Sequence, residues 1–253
     1  MIKESTPFDR RALASYFLQF LVIGHRGAAG LAPENTLPSF RKALDMGCQG
    51  IELDVHAVNN AGGEQELVVI HDHTVDRTTN GRGPVSLHTI EQIAELDAGD
   101  GNRIPRLAEV TALVAGYTAD TRPLINIELK GKGTAAAAAR FLRTHPGLAV
   151  LVSSFNHEEL AAFRETDKTT PVAPLFERAR GNMLEIATQL EASCINMSTR
   201  MAKPSLIEQC REAGIPVLVY TVNQLHETQR LKAMGIAGVF TDRPDNLIPV
   251  IAR

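Results

Sequence analysis

Nine short apolar runs recur along the chain: LVIGH (21–25), GIELDV (50–55), LVVIH (67–71), LINIELK (124–130), AVLVSSF (149–155), PVAPLF (171–176), CINMS (194–198), PVLVYTV (216–222) and GVFTD (238–242). Runs of this length, rich in Val, Ile and Leu, predict strands buried on both faces. Most are separated by segments with helical spacing of apolar positions: TLPSFRKALDMG, TAAAAARFLRTH, NHEELAAFRET, NMLEIATQLEA, PSLIEQCREAG and QLHETQRLKAMG. The first of these stops at Gly47, a usual helix terminator. Strands alternating with helices imply a parallel sheet covered by helices. Eight such repeats in about 250 residues match a closed (β/α)8 barrel, and an open doubly wound sheet is the alternative.

Nine runs are one too many for that barrel. Between Val55 and Leu67 the chain is too short and polar for a crossover helix, since parallel strands need about a dozen connecting residues or more. Gly62-Gly63 in this gap favours a tight turn. The third run is therefore expected to fold back antiparallel on the second, as a hairpin extending from barrel strand 2. A two-residue turn at Gly62-Gly63 places Asp54 opposite His71. No Pro- or Ser-rich linker interrupts the pattern, so residues 1–253 are read as one domain.

Composition narrows the picture by exclusion. The net charge is −3, with no Lys/Arg-rich run, so nothing points to nucleic acid or an anionic membrane. Cys48, Cys194 and Cys210 are too few and too scattered for a disulfide framework or a paired zinc site. The apolar stretch from Ala12 to Ile23 is too short to span a bilayer and runs directly into His25; its last part reads as a strand. The expectation is a cytoplasmic protein without stable membrane association. The oligomeric state stays open.

Polar residues inside the apolar runs carry the chemistry. Glu52 and Asp54 stand two apart in GIELDV, and Glu128 and Lys130 two apart in LINIELK, so each pair shares a face of its strand. In a barrel such groups meet at the C-terminal rim, joined by His25-Arg26 at the end of the first run and His71 at the end of the hairpin. Three carboxylates without sulfur or imidazole suit one hard divalent cation, Mg2+ or Ca2+. With that ion, Arg26 and Lys130 bring the formal sum to about one positive charge, which suits a phosphodiester. Two histidines on opposite sides of an in-line displacement can take one proton and give another. GHRGAAG and GKGT fail as phosphate-loop motifs, because their glycine and GKT/GKS spacings are wrong.

The strings HRGAAGLAPENTLPSF, GIELDV, VVIHDHTVDRTTNGRG, LDAG, INIELKGKG, SSF, VYTVN and GVFTDRPD, in this order from His25 onward, resemble the glycerophosphodiester phosphodiesterase family. The resemblance implies a (β/α)8 barrel that hydrolyses glycerophosphodiesters to an alcohol and sn-glycerol 3-phosphate. It maps His25 and His71 as the acid–base pair, Glu52, Asp54 and Glu128 as metal ligands, and Arg26 and Lys130 as phosphate binders. Glu34 and Asn35 of the PENT string would orient the site, and Tyr220 would form an aromatic wall for the glycerol end, where many relatives carry Trp. Two departures alter the rim: the segment 57–66 is longer than the compact family turn, and the stretch 100–105 is short. The alternatives are a barrel acting on lysophospholipid or phosphatidylinositol-type lipids, and a non-catalytic barrel that binds phosphorylated ligands.

Other polar residues receive blander readings. Asp72 points to the opposite face from His71 and is expected to take a structural hydrogen bond; Asp242, at the end of the last strand, could approach the site, with capping of the following helix the first expectation. Arg77, Thr78 and Asn80 order a loop, and His56 and His73 are assigned no role.

Overall fold

The computed structural model describes residues 8–117, 122–178 and 182–251. Among these residues nine strands form: β1 Leu21–Gly24, β2 Gly50–Asn59, β3 Gln65–Val69, β4 Leu124–Leu129, β5 Val150–Ser154, β6 Val172–Phe176, β7 Ile195–Ser198, β8 Val217–Tyr220 and β9 Gly238–Thr241. Every one of them falls on one of the nine apolar runs. All neighbours are parallel except β2 and β3. Because β1 pairs with both β2 and β9, the eight parallel strands close into a barrel, with β3 as an antiparallel flap on β2. The architecture is the (β/α)8 barrel with a hairpin extending from its second strand.

The helices are α1 Arg10–Tyr16, α2 Leu37–Asp45, α3 Ile90–Ala94, α4 Leu107–Ala115, α5 Thr134–Arg143, α6 His157–Thr166, α7 Met183–Gln189, α8 Pro204–Glu212, α9 Leu225–Ala233 and α10 Pro244–Ile251. Helices α2 and α5–α9 occupy the six segments with helical spacing. The apolar stretch from Ala12 to Ile23 divides between α1 and β1. Phe8 and Leu13 pack beneath the barrel against Leu21, Ile23, Leu124, Leu151, Leu218 and Phe240, which all face inward. This apolar plug fills the N-terminal half of the barrel. The outward faces of the strands bury Val22, Ile51, Leu53, Ile125 and Ile127 against the helices. A third, small core of Val58, Val68, Ile70, Val75, Val85, Ile90 and Ile93 supports the long excursion between β3 and α4.

The hairpin register corrects one expectation. Val55 pairs with Val69 and Asn59 with Gln65, so Asp54 lies opposite Ile70, not His71. The Ile70 amide donates to the Asp54 carbonyl at 3.0 Å. The cause is the turn. The Asn60 amide bonds the Glu64 carbonyl and the Gly63 amide bonds the Asn60 carbonyl, with Gly63 at φ +83°. That is a three-residue loop with a left-handed glycine, one residue longer than the expected Gly62-Gly63 turn. Since loop length sets register, one extra residue shifts every pair by one. His71, one residue beyond the last backbone hydrogen bond to β2, still lines the cavity with Glu52 and Glu128.

Candidate active site

The site stands on the apolar plug, at the C-terminal ends of the strands. Residues 52 and 54 of β2 and residues 126 and 128 of β4 project inward by strand alternation, and the ladder sets Asp54 beside Glu128. Glu52, Asp54 and Glu128 are all buried, and each offers an oxygen within 4.8 Å of the other two. Below them a layer of buried amides and hydroxyls replaces hydrocarbon: Asn126 donates to Ser153 Oγ at 2.9 Å, and Asn196 lies beside Asn126 at 3.4 Å.

The β1–α2 loop folds over this cluster. Arg26 and Asn35 both adopt left-handed backbone, with φ of 50° and 58°. Gly27, at φ +82°, packs so tightly on α2 that a Cβ there would stand 2.4 Å from Ser39 Oγ. Thr36 caps α2 by accepting from the Ser39 amide. The Arg26 amide donates to Glu52 Oε2 at 2.9 Å, while Asn35 Nδ2 donates to Asp54 Oδ2 at 2.8 Å. The Arg26 guanidinium bonds Glu34 at 2.8 Å and lies 3.4 Å from Asp54. Lys130 lies 3.2 Å from Asp54 and also contacts Glu128.

Burial sets the charge states of these acids. It pushes the Glu52 carboxyl well up from its ordinary value, and the charges of Asp54 and Glu128 push it further. Burial pushes Glu128 up to about 7, although Lys130 pulls against it. Burial also acts on Asp54, but Lys130 and Arg26 together outweigh it and hold that carboxyl below the ordinary range. Three crowded carboxyls resist ionising together unless a cation joins them.

The donor set fits such a cation. Among the described residues, Glu52 Oε1 is buried without a hydrogen-bond partner, and Asp54 Oδ1 and Glu128 Oε1 have no ion-pair partner but the Lys130 ammonium. Unsatisfied buried carboxylate oxygens are costly, and one shared hard ion would satisfy all three.

Two histidines flank the cluster, and each has its Nδ1 held by a carboxylate. His25 Nδ1 lies 2.7 Å from Asp242 Oδ1, and its Nε2 lies 4.0 Å from Glu52. Asp242 is fixed in turn by Asn223, which donates to its carboxylate at 2.8 Å and accepts from its amide at 2.8 Å. His71 Nδ1 lies 2.7 Å from Asp72 Oδ1, and Asp72 is gripped by Arg77 at 2.7 and 3.0 Å. Burial lowers the His71 pKa, against the pull of Asp54. Both rings are only part-buried, with side chains 20% and 32% exposed, and both line the cavity opposite their carboxylate-bound Nδ1 edges.

The cavity between them measures about 180 Å³ and is lined by His25, Arg26, Glu52, His71 and Glu128, with Phe155, Leu175 and Tyr220 as its apolar side. Phe155 and Tyr220 meet edge to face at 5.8 Å.

All ten residues singled out from the sequence thus converge: His25, Arg26, Glu34, Asn35, Glu52, Asp54, His71, Glu128, Lys130 and Tyr220. Glu34 meets the cluster at one remove, through its hydrogen bond from Arg26. Two readings change. Asp242 spends its carboxylate on His25 and Asn223 rather than on capping α10, and Asp72 hydrogen-bonds His71 itself. Asn223, Arg77 and Phe155 also belong to the site's surroundings. Asn223 and Phe155 had no signal in the sequence beyond the VYTVN and SSF strings, and Arg77 was read only as ordering a loop.

A profile of the glycerophosphoryl diester phosphodiesterase family matches residues 25–246. The chain belongs to this family. That makes it an enzyme of the phosphoric diester hydrolase class, and every quoted string lies within or at the start of the matched span. It is 33% identical over 249 residues to a glycerophosphodiester phosphodiesterase of Caldanaerobacter subterraneus subsp. tengcongensis, covering 93% of this chain and 99% of the relative. Among solved structures it is similar to an Oleispira antarctica phosphodiesterase in complex with the product sn-glycerol-3-phosphate, with a TM-score of 0.85, 27% identity, and 94% and 99% of the two chains covered. A glycerophosphodiester phosphodiesterase from Agrobacterium tumefaciens gives a TM-score of 0.76 at 31% identity, over 92% of this chain and all of the other.

Proposed function

We propose that the chain hydrolyses glycerophosphodiesters to an alcohol and sn-glycerol 3-phosphate, using a divalent cation and two histidines as proton donor and acceptor. The observation that carries this reading is the pairing of each histidine with its own carboxylate on either side of a three-carboxylate cluster. Glu52, Asp54 and Glu128 would hold the ion, Mg2+ or Ca2+, since all donors are carboxylate oxygens. When bound, the ion supplies Lewis-acid polarisation of a phosphoryl oxygen.

The chain's own residues do the rest. Asp242 and Asp72 fix the rings of His25 and His71, so that one Nε2 takes a proton from the nucleophile and the other delivers one to the leaving alcohol as its P–O bond breaks; the nucleophile is water, or the neighbouring glycerol hydroxyl with water then opening the cyclic phosphate to sn-glycerol 3-phosphate. Arg26 and Lys130, which here face carboxylates, supply donors for the remaining phosphate oxygens. Tyr220, with Phe155 beside it, offers the carbon skeleton of glycerol an apolar wall. The cavity, about 180 Å³ and open to solvent, is small and lined largely by charged and polar side chains, which suits a compact polar group. Among the described residues no helix is long and apolar enough to cross a membrane.

The test is release of glycerol 3-phosphate from glycerophosphocholine, glycerophosphoethanolamine and glycerophosphoglycerol, with Mg2+, with Ca2+ and with chelator, beside His71→Ala. Metal-dependent release that the variant lacks is the expected result. Absence of release from all three head groups with either metal would overturn the proposal.

A further inference from the structure

One residue outside the set read from the sequence joins both halves of the proposed chemistry. Arg77 lies in the excursion after β3, and its side chain is about half exposed. A half-exposed arginine usually spends its donors on water. Arg77 instead makes four hydrogen bonds to two carboxylates: 2.7 and 3.0 Å to Asp72, and 2.9 and 2.7 Å to Glu34. Each carboxylate then holds a different functional group. Asp72 takes the Nδ1 side of His71, and Glu34 takes the guanidinium of Arg26, itself 3.4 Å from Asp54.

The chain His71–Asp72–Arg77–Glu34–Arg26 is therefore continuous, and Arg77 is its centre. The loop around it is built to keep it there. Asp76 accepts from the Gly83 amide at 2.8 Å, Thr79 bonds the Val75 carbonyl at 2.6 Å, and Val75 is buried in the small core.

We propose that Arg77 is a positioning residue that couples His71 to Arg26 by holding Asp72 and Glu34 in one guanidinium fork; this rests on the roles proposed above for those two residues. A planar fork can serve two carboxylates at once with fixed geometry, whereas a lysine ammonium is a single point charge. Removing Arg77 frees Asp72 to rotate away from His71 and leaves Glu34 bound to Arg26 alone. One substitution then disturbs both proton transfer and phosphate holding.

The experiment compares Asp72→Asn, Glu34→Gln, Arg77→Gln, Arg77→Lys and the Asp72→Asn/Glu34→Gln double variant. It reads kcat, inhibition by sn-glycerol 3-phosphate, Tm and metal affinity. Asp72→Asn is expected to lower kcat with product inhibition within twofold of wild type. Glu34→Gln is expected to weaken product inhibition with the smaller loss of kcat. Arg77→Gln should do both, each on the order of tenfold to a hundredfold, and should match the double variant. Arg77→Lys should stay within about threefold of Arg77→Gln, with metal affinity unchanged in both.

If Arg77→Gln leaves kcat and product inhibition within twofold of wild type, or moves only one of them, the coupling is wrong. Losses that merely follow Tm, with Arg77→Lys restoring full activity, overturn it as well. Should the wild type hydrolyse none of the substrates, the proposed function fails on its own. The coupling is then read from calorimetric affinity for sn-glycerol 3-phosphate and from the His71 side-chain nitrogen resonances. Both must change in Arg77→Gln, and unchanged values reject it.

Discussion

The two histidines reach the same cavity by different means. His25 belongs to the barrel. Its amide bonds the Thr241 carbonyl of β9 at 2.8 Å, and its partner Asp242 follows β9 directly. The brace behind Asp242 is Asn223, a neutral amide that also bonds Thr241 and accepts from the Asp242 amide. His71 belongs to the excursion. It follows the hairpin, and the brace behind its partner Asp72 is a pair of ion bonds through half-exposed Arg77. Sheet register therefore places the first arm, and charge places the second. Hydrogen bonds inside a closed sheet depend little on ionic strength, whereas exposed ion pairs are screened by it.

The largest expected effect falls on what both arms share. If the proposed cation sits among Glu52, Asp54 and Glu128, removing it should abolish turnover and also reverse how stability depends on pH. Glu128, and Glu52 in the same direction, bind protons more tightly folded than unfolded. In chelator, the stability they add is complete below the ordinary value of 4.5 and disappears as pH rises through about 7. Asp54, held below its ordinary value of 3.8, acts the other way but only in more acidic solution. Tm in chelator should fall between pH 5 and 8, and the gain on adding Mg2+ or Ca2+ should be larger at pH 8 than at pH 5.5. A metal-induced gain that shrinks with rising pH would break the assignment of these carboxyls.

Next come the histidines themselves. His25→Ala and His71→Ala should each lower kcat by about 10²–10⁴-fold. The double variant should lose far less than the product, because residues that act as a unit are not additive. Single-turnover rates check this.

The braces follow in size. Asn223→Ala and Arg77→Lys should each cost roughly tenfold or more in kcat. Only the wild-type Arg77 arm should weaken as NaCl rises from 0.05 to 1 M. A steady-state salt series in Asn223→Ala, where the His25 arm is already loose, isolates the other arm and should show the steeper decline.

The smallest effect lies at the hairpin tip. Gly63→Ala, at φ +83° with open space around its Cα, should cost about 1 kcal/mol of stability and leave kcat unchanged. Tm and kcat on the same sample decide this, and a fall in kcat would show that the tip communicates with His71.

Legibility in the sequence varied with what encoded each feature. Nine strands were readable because barrel strands are buried on both faces and appear as uninterrupted Val/Ile/Leu runs. Helices α2 and α5–α9 were readable from their periodic faces. α1 was hidden in a stretch that merges with β1. α4 carries apolar residues nearly all round, in LAEVTALVA, and so has weak periodicity. α3 has only five residues, and α10 contains Pro249, which reads as a helix breaker. The site residues with a fixed place in a strand, Glu52, Asp54 and Glu128, followed from two-residue alternation alone. Asp72 was read for a structural hydrogen bond without its partner, and Asp242 first as a helix cap and only second as a neighbour of the site. Their partners are chosen by side-chain geometry across 217 residues in one case and by rotation at a strand end in the other.

The sequence by itself determined the barrel, the flap on its second strand and the acid cluster at its rim. Those depend on burial pattern and strand alternation, which are local properties of the chain. Only the tertiary structure decided the hairpin register, which a single turn residue shifts, and the carboxylate partner of each histidine. It also decided the Arg77 fork, because Glu34 and Arg77 lie 43 residues apart and meet only when the β1–α2 loop and the excursion fold over the same rim.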